Sequence, residues 1–109
     1  NLVTAASSAQ LYSYMSRSPN SQPWRDSLTI AGFDGTLKNR FIGTVAANNV
    51  RGKTGTIDQV SALSGYLTTV GGEQLAFSII VNGVGSGSIR QNTIDEIVVA
   101  LANFNGRTQ

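Results

Sequence analysis

The sequence predicts an α+β fold in which helices cover an antiparallel sheet. Residues 60–70 and 73–82 are rich in β-branched and apolar side chains, and they flank Gly71-Gly72, a pair typical of a two-residue hairpin turn. Residues 3–16 place apolar side chains three and four positions apart, as in a helix that buries one face. Residues 88–104 carry a broader apolar stripe of the same period, which predicts a final helix.

Local signals indicate where the helices begin and end. Thr4 is expected to cap the first helix, while Ser88 and Gly106 are expected to begin and end the last one. Residues 17–48 lack periodicity and are predicted to be irregular. Within them, Pro23 at a first-turn position favours one short helical turn over residues 22–28.

A third strand is predicted over residues 49–56, ahead of the hairpin. Residues 60–70 are apolar on both faces for much of their length, which is typical of a central strand. Three strands leave sheet edges unpaired. We therefore expect residues 1–109 to be a portion of one domain with a larger sheet, or to self-associate through an edge strand.

Composition and charge exclude several functions. The chain has 109 residues, of which 40% are hydrophobic and 13% charged, a size that suits one domain. It contains no histidine or cysteine, which excludes zinc sites built on those ligands, disulfides and a Ser-His-Asp triad within this chain. We expect no metal and no cofactor. The net charge of +2 comes from scattered cations, which argues against nucleic acid as a partner.

The segment Lys53-Thr54-Gly55-Thr56 is where the sequence suggests chemistry. The ammonium group supplies charge and the Thr54 hydroxyl a directed hydrogen bond, a combination suited to a carboxylate. Gly55 lets another group approach the backbone, and the N–H of Thr56 at a sheet edge can stabilise an oxyanion. A Lys-Thr-Gly tripeptide alone is common by chance, and the simpler interpretation is a lysine at the start of a strand.

The order of five segments resembles the class C low-molecular-mass penicillin-binding proteins, the D-alanyl-D-alanine carboxypeptidase/endopeptidase family. The segments are NLVTA at 1–5, AGFDGTL at 31–37, VRGKTGT at 50–56, LSGYLTT at 63–69 and LAFSIIVNG at 75–83. The resemblance implies the C-terminal part of a transpeptidase domain of the penicillin-binding-protein and β-lactamase type. It also implies a hydrolase that acts on cell-wall peptides and binds penicillin.

The resemblance implies roles for the residues that match the family's third motif. Lys53, Thr54 and Gly55 match it. Lys53 would polarise the site, Lys53 and Thr54 would hold the terminal carboxylate of the substrate, and the N–H of Thr56 would be one oxyanion-hole donor. The implied partners are the peptidoglycan stem peptide, β-lactam antibiotics and the remaining N-terminal part of the same enzyme. The implied location is periplasmic or extracytoplasmic.

The chain does not contain the family's other two motifs in the form and spacing that the resemblance requires. S-x-x-K is absent, because the residues three positions before Lys38 and Lys53 are Gly35 and Val50. An S-x-N occurs at Ser18-Pro19-Asn20, but it lies close to Lys53 in sequence and where a helix ends at a proline, so we interpret it as a turn. We expect the serine nucleophile and the second motif to lie upstream, and this chain alone to be inactive.

Two other interpretations stay open. The chain could be a non-catalytic peptide-binding module that retains the carboxylate-binding strand, or a structural fragment in which Lys-Thr-Gly is coincidental. An S-x-x-K and a correctly spaced S-x-N upstream would favour the enzyme over the module.

Trp24 is interpreted as an anchor of the irregular segment, Arg51 as a solvent-facing cation, and Asp34 and Asp58 as turn residues.

Overall fold

The computed structural model describes residues 4–57, 59–83 and 85–106. These residues form a four-stranded antiparallel sheet packed by helices, and the predicted fold class is confirmed. In chain order the elements are α1 (Ala5–Ser16), α2 (Ser21–Asp26), β1 (Thr29–Ile30), a 3₁₀ turn (Gly35–Leu37), β2 (Arg51–Ile57), β3 (Val60–Thr68), β4 (Gln74–Asn82) and α3 (Gly87–Ala102). The strands lie side by side in sequence order. The sequence did not predict β1, since two residues are too few to show alternation.

A threonine and a serine side chain cap the N-termini of the two longer helices, α1 and α3. Thr4 caps α1 as predicted: the N–H of Ser7 donates to the Thr4 hydroxyl at 3.0 Å, and the N–H of Thr4 donates to the Ser7 hydroxyl at 3.2 Å. The final helix forms, but its predicted N-cap residue was wrong: Ser86 rather than Ser88 caps α3. Ser86 has the extended backbone of a cap residue and accepts from the N–H of Ile89 at 3.3 Å.

The hairpin loop between β3 and β4 determines where α3 ends. The N–H of Val70 donates to the carbonyl of Ala102 at 2.9 Å, and the N–H of Gly71 donates to that of Phe104 at 3.3 Å. The Ala102 carbonyl, which the last turn of α3 leaves unpaired, thus finds a partner in the loop. The helix ends at Ala102 with Asn103 as its cap, and Gly106 does not play the predicted terminating role.

The loop itself is longer than the two-residue turn predicted at Gly71-Gly72. The N–H of Thr69 donates to the carbonyl of Glu73 at 2.8 Å, which leaves residues 70–72 between the paired ends. The N–H of Gly72 donates to the carbonyl of Thr69 at 2.9 Å, and Gly72 has a φ of 88°. A tight turn followed by a left-handed glycine is the usual three-residue hairpin. β3 therefore ends at Thr68, earlier than predicted, and β4 begins at Gln74, later than predicted.

Each face of β3 is buried in a separate apolar cluster, as the sequence predicted for a central strand. On the α3 face the buried residues are Ala31, Leu37, Phe41, Ala46, Val50, Leu63, Leu67, Phe77, Ile94, Val98 and Ala102. On the α1 face Tyr66 packs with Tyr12 and Leu28. Tyr66 and Phe77 are therefore core residues, as predicted. The apolar stripe of α3 is narrower than predicted, since Ile89 and Ile97 are exposed.

Residues 31–50 have little regular structure, and polar side-chain contacts join them to other elements of the fold. Arg40 forms an ion pair with Asp95 of α3, and both side chains are largely buried. The side chain of Asn49 donates to the carbonyl of Thr68 at 2.7 Å and accepts from its N–H at 2.8 Å. These contacts fasten the segment to α3 and to the end of β3.

Gly52 of β2 and Gly65 of β3 face each other where neither backbone leaves room for a side chain on the other strand. A Cβ atom on Gly65 would lie 2.2 Å from the carbonyl oxygen of Arg51 and 2.8 Å from the Cα of Gly52. A Cβ atom on Gly52 would lie 2.6 Å from the carbonyl oxygen of Ser64. Only glycine fits at both positions, and this pair locks the register of β2 against β3.

Gly65→Ala should lower the free energy of unfolding by about 1–3 kcal/mol, because the backbone atoms of β2 cannot move away from the added methyl group. Gly55→Ala is the matched control, since a Cβ there meets only Ala62 at an ordinary 3.8 Å. Thermal unfolding of both variants measures the difference. Equal melting temperatures would contradict the close approach.

The outer edge of β4 pairs with no other strand in the part of the chain that the structure describes. The 109-residue chain expressed alone should therefore self-associate through this edge or be marginally stable. Sedimentation velocity and thermal unfolding over a range of concentrations measure both. Ile80→Pro, which removes an N–H on this edge, should suppress association. A monomer with a high melting temperature at every concentration would contradict the prediction.

Candidate functional site

Lys53-Thr54-Gly55-Thr56 lies in the half of β2 that has a neighbouring strand on one side only. β1 pairs with β2 at Arg51 and Gly52, whereas residues 53–57 pair with β3 alone among the strands that the structure describes. Lys53, Gly55 and Thr56 are exposed and Thr54 is half-buried. The motif singled out in the sequence is therefore at an open sheet edge.

The backbone of β2 directs the N–H of Thr56 toward this open edge. The carbonyl of Val50 accepts from the N–H of Ala31 at 2.9 Å, and the carbonyl of Gly52 accepts from the Thr29 hydroxyl at 3.1 Å, both on the β1 side. Main-chain groups of alternate residues point the same way in an antiparallel strand. The N–H groups of Thr54 and Thr56 consequently point away from β3, the direction in which an oxyanion could be bound.

Lys53 and Thr54 leave β2 on opposite faces of the sheet. Lys53 is opposite Ser64, whose hydroxyl oxygen lies 3.0 Å from that of Ser8 in α1. Thr54 is opposite Leu63, which is buried in the cluster beneath α3. Their side chains therefore approach the open edge from its two sides.

Two cavities flank the edge. One, of about 330 Å³, is lined by residues that include Trp24, Thr29, Thr36, Lys53 and Thr54. The other, of about 320 Å³, lies toward the start of α3 and is lined by Thr54, Thr56, Ser88 and Gln91 among others. Thr54 lines both cavities, which places its hydroxyl at the centre of the candidate site.

Thr36 of the 3₁₀ turn belongs to the site, and the sequence did not reveal it. The Thr54 hydroxyl donates to the Thr36 hydroxyl at 3.0 Å. The turn signal in residues 31–37 was visible, but a contact between side chains 18 positions apart depends on the tertiary fold. The one sequence feature that could have pointed to Thr36 is that a polar residue follows Gly35 in this turn.

Trp24 is the anchor that the sequence predicted, and it also lines the cavity beside Lys53. Its indole N–H donates to the Tyr66 hydroxyl at 2.9 Å, and its ring meets that of Tyr12 edge-on at 5.2 Å between centroids. Burial, with a smaller effect of Tyr66, raises the pKa of Tyr12 above its ordinary 10.0. These contacts hold α1 and α2 against β3 at Tyr66.

The other residues considered from the sequence lie outside the two cavities or outside the described residues. Arg51 is on the same face as Lys53, but its guanidinium lies 3.6 Å from the Asp26 carboxylate and donates to the carbonyl of Arg25. Asp34 accepts from the N–H of Ile30 at 2.7 Å, as expected of a turn residue. Asp58 lies outside the described residues.

Ser18-Pro19-Asn20 forms a turn, as interpreted from the sequence. The N–H of Asn20 donates to the Ser18 hydroxyl at 3.0 Å, and the N–H of Ser21 donates to the Ser18 carbonyl. The segment lines neither cavity beside Lys53. Within the ranges that the structure describes, no group of three or more His, Cys, Asp or Glu side chains could hold a metal ion.

A cation, a hydroxyl and an outward N–H at one sheet edge are suited to binding a carboxylate and an oxyanion. Residues 1–104 match the model of the D-Ala-D-Ala carboxypeptidase 3 (S13) family. The chain belongs to this family. This confirms the resemblance to low-molecular-mass penicillin-binding proteins.

Similar proteins agree with the assignment. A D-alanyl-D-alanine carboxypeptidase of Actinomadura sp. (strain R39) is 45% identical over 111 aligned positions, which cover 97% of this chain and 20% of that protein. The crystal structure of penicillin binding protein 4 (dacB) from Haemophilus influenzae has a TM-score of 0.82 at 26% identity, covering 95% of this chain and 25% of that one. The same protein complexed with a novel β-lactam has a TM-score of 0.75 at 27% identity, covering 89% and 25%.

The chain spans about a fifth of the length of the curated relatives it matches. None of the helices in the described ranges is both long and apolar enough to cross a membrane.

Proposed function

We propose that the protein carrying this chain is a serine-type D-alanyl-D-alanine carboxypeptidase/endopeptidase that acts on peptidoglycan stem peptides and is acylated by β-lactams. The chain forms the C-terminal portion of its catalytic domain. The observation that carries the proposal is the position of Lys53-Thr54-Gly55-Thr56 at an open strand edge, in a chain of the S13 family. The 109 residues alone are inactive in this proposal.

The chain supplies the carboxylate-binding and oxyanion side of the reaction. The Lys53 ammonium and the Thr54 hydroxyl hold the terminal carboxylate of the peptide, because charge-assisted hydrogen bonds are the strongest available at such an edge. Gly55 leaves room for the substrate to lie along β2, and Thr54 and Thr56 line the groove. The exposed position of Lys53 allows an incoming anion to reach it directly.

The reaction is acyl transfer to a serine that another part of the protein contributes. The serine oxygen attacks the carbonyl carbon between the two D-alanines, and the carbonyl oxygen becomes an oxyanion that the N–H of Thr56 stabilises. The bond between the carbonyl carbon and the nitrogen then breaks, and the terminal D-alanine leaves with the proton that the serine hydroxyl lost now on its amine. Water hydrolyses the serine ester and regenerates the enzyme. A β-lactam ring opens by the same attack.

The remaining N-terminal part of the same enzyme completes the site in this proposal, and the protein acts in a periplasmic or extracytoplasmic location. Peptidoglycan is found there. The similar proteins include a penicillin binding protein 4 and a D-alanyl-D-alanine carboxypeptidase. The S13 family match supports these partners.

In the complete protein, Lys53→Ala should lower acylation by penicillin and peptide turnover together by at least about a hundredfold, because it removes a cation from the site that binds the carboxylate and the developing oxyanion. Thr54→Val should have a smaller effect, since it removes a donor but leaves the charge. Stopped-flow acylation and steady-state turnover measure both variants. The unfolding temperature of Lys53→Ala should change little, because the side chain is exposed.

Two controls accompany these variants. Arg51→Ala removes a cation on the same face of β2, and Lys38→Ala removes an exposed lysine outside both cavities; both should acylate at close to the wild-type rate. Wild-type acylation by Lys53→Ala, or greater damage from Arg51→Ala, would overturn the proposal. A protein that binds the peptide but is never acylated would instead be the non-catalytic module.

A further inference from the structure

The hydroxyl groups of Thr54 and Thr36 form a pair in which one proton is already committed. Thr54 donates to Thr36 across 3.0 Å. A threonine hydroxyl has one proton to donate and two lone pairs that accept. While Thr54 donates to Thr36, it has no proton left for a carboxylate in the groove. If Thr54 donates to an anion and its hydrogen bond with Thr36 is kept, Thr36 becomes the donor of the pair.

The turn that carries Thr36 is held rigidly on both sides of it. Asp34 accepts from the N–H of Ile30, and Leu37 is completely buried. Gly35 has a φ of 57°, and a Cβ atom there would lie 2.1 Å from a methyl carbon of Thr29. Thr36 itself is exposed. Its side chain is therefore presented to β2 by a fixed backbone and is not needed to fill the core.

We propose that Thr36 is a positioning residue for Thr54. Thr36 accepts a hydrogen bond from the Thr54 hydroxyl and holds that hydroxyl in place. When a carboxylate enters, the Thr54 hydroxyl rotates to donate to the anion, and the Thr36 hydroxyl rotates to donate to the Thr54 oxygen. Both hydroxyls keep their own protons and no covalent bond changes. The second donor polarises the first, which strengthens the bond to the anion.

This proposal rests on the proposed function, in which Thr54 binds the substrate carboxylate. It differs from a structural role in which Thr36 only tethers the 3₁₀ turn to β2. A tether would act on every substrate alike and would still matter when Thr54 has lost its hydroxyl. A positioning residue acts only through the Thr54 hydroxyl and only on ligands that present a carboxylate.

The test compares acylation of the complete protein by a penicillin and by the methyl ester of the same penicillin. Thr36→Val should lower the acylation rate constant for the free acid by about tenfold, while the rate constant for the ester stays within about twofold of wild type. Thr36→Ser, which keeps the hydroxyl, should restore the free-acid rate. Since both ligands are measured on one variant, their ratio does not depend on the folded fraction.

A double-mutant cycle tests the route through Thr54. Adding Thr36→Val to Thr54→Val should have no further effect on the free acid. Thr93→Val is the matched control, because the Thr93 hydroxyl donates to the Ile89 carbonyl within α3; it should leave both ligands unchanged. If Thr36→Val misfolds, Thr36→Ala at the same exposed position takes its place in every measurement.

The outcomes separate this proposal from the one it rests on. Equal slowing of the acid and the ester by Thr36→Val, or an additive effect in the Thr54→Val background, overturns the positioning role. Impaired Lys53→Ala and Thr54→Val with normal Thr36→Val overturns it as well and leaves the proposed function standing. Normal acylation by Lys53→Ala and Thr54→Val overturns both.

Discussion

The close pairing of β2 with β3 at Gly52 and Gly65 is the constraint on which the position of the site depends. Neither residue can carry a side chain, because backbone atoms of the opposite strand occupy the space. The pair fixes the register in which Lys53 meets Ser64 and Thr54 meets Leu63. A slip of one residue would exchange the faces of Lys53 and Thr54 and turn the N–H of Thr56 toward β3.

The shortness of β1 gives the site its access. After Ile30 the chain turns away and builds residues 31–50 over the α3 face, so β1 covers β2 only at Arg51 and Gly52. An exposed strand edge is ordinarily a liability. Here the uncovered groups are the outward N–H groups of Thr54 and Thr56, next to the cavity that Trp24, Thr36 and Lys53 line. The edge is thus available for binding.

The sequence predicted the sheet well because its signals are local. The β-branched and apolar residues of Val60–Thr68 and the glycine pair after them identify the hairpin, and the burial of both faces of β3 follows from its apolar character. The caps were harder, since Ser86 and Ser88 are chemically equal and only the backbone conformation of Ser86 makes it the cap. β1 was missed because two residues carry no periodic signal.

The site was predicted in part for the same reason. Lys53-Thr54-Gly55-Thr56 is contiguous and matches a family motif, so it could be found by inspection. Thr36 and Trp24 come from other parts of the chain, and only the fold brings them to the cavity beside Lys53. The ion pair between Arg40 and Asp95, which holds residues 31–50 to α3, is likewise a tertiary contact.

In the proposed function, the open edge of β2 binds the carboxylate and the oxyanion. A crystal structure of the complete protein acylated by a penicillin tests this most directly. We predict that the penicillin carboxylate lies within about 3.2 Å of the Thr54 hydroxyl, and that the acyl carbonyl oxygen accepts a hydrogen bond from the N–H of Thr56. An acyl group whose carboxylate lies away from β2, or whose carbonyl oxygen is bound elsewhere, would contradict the claim.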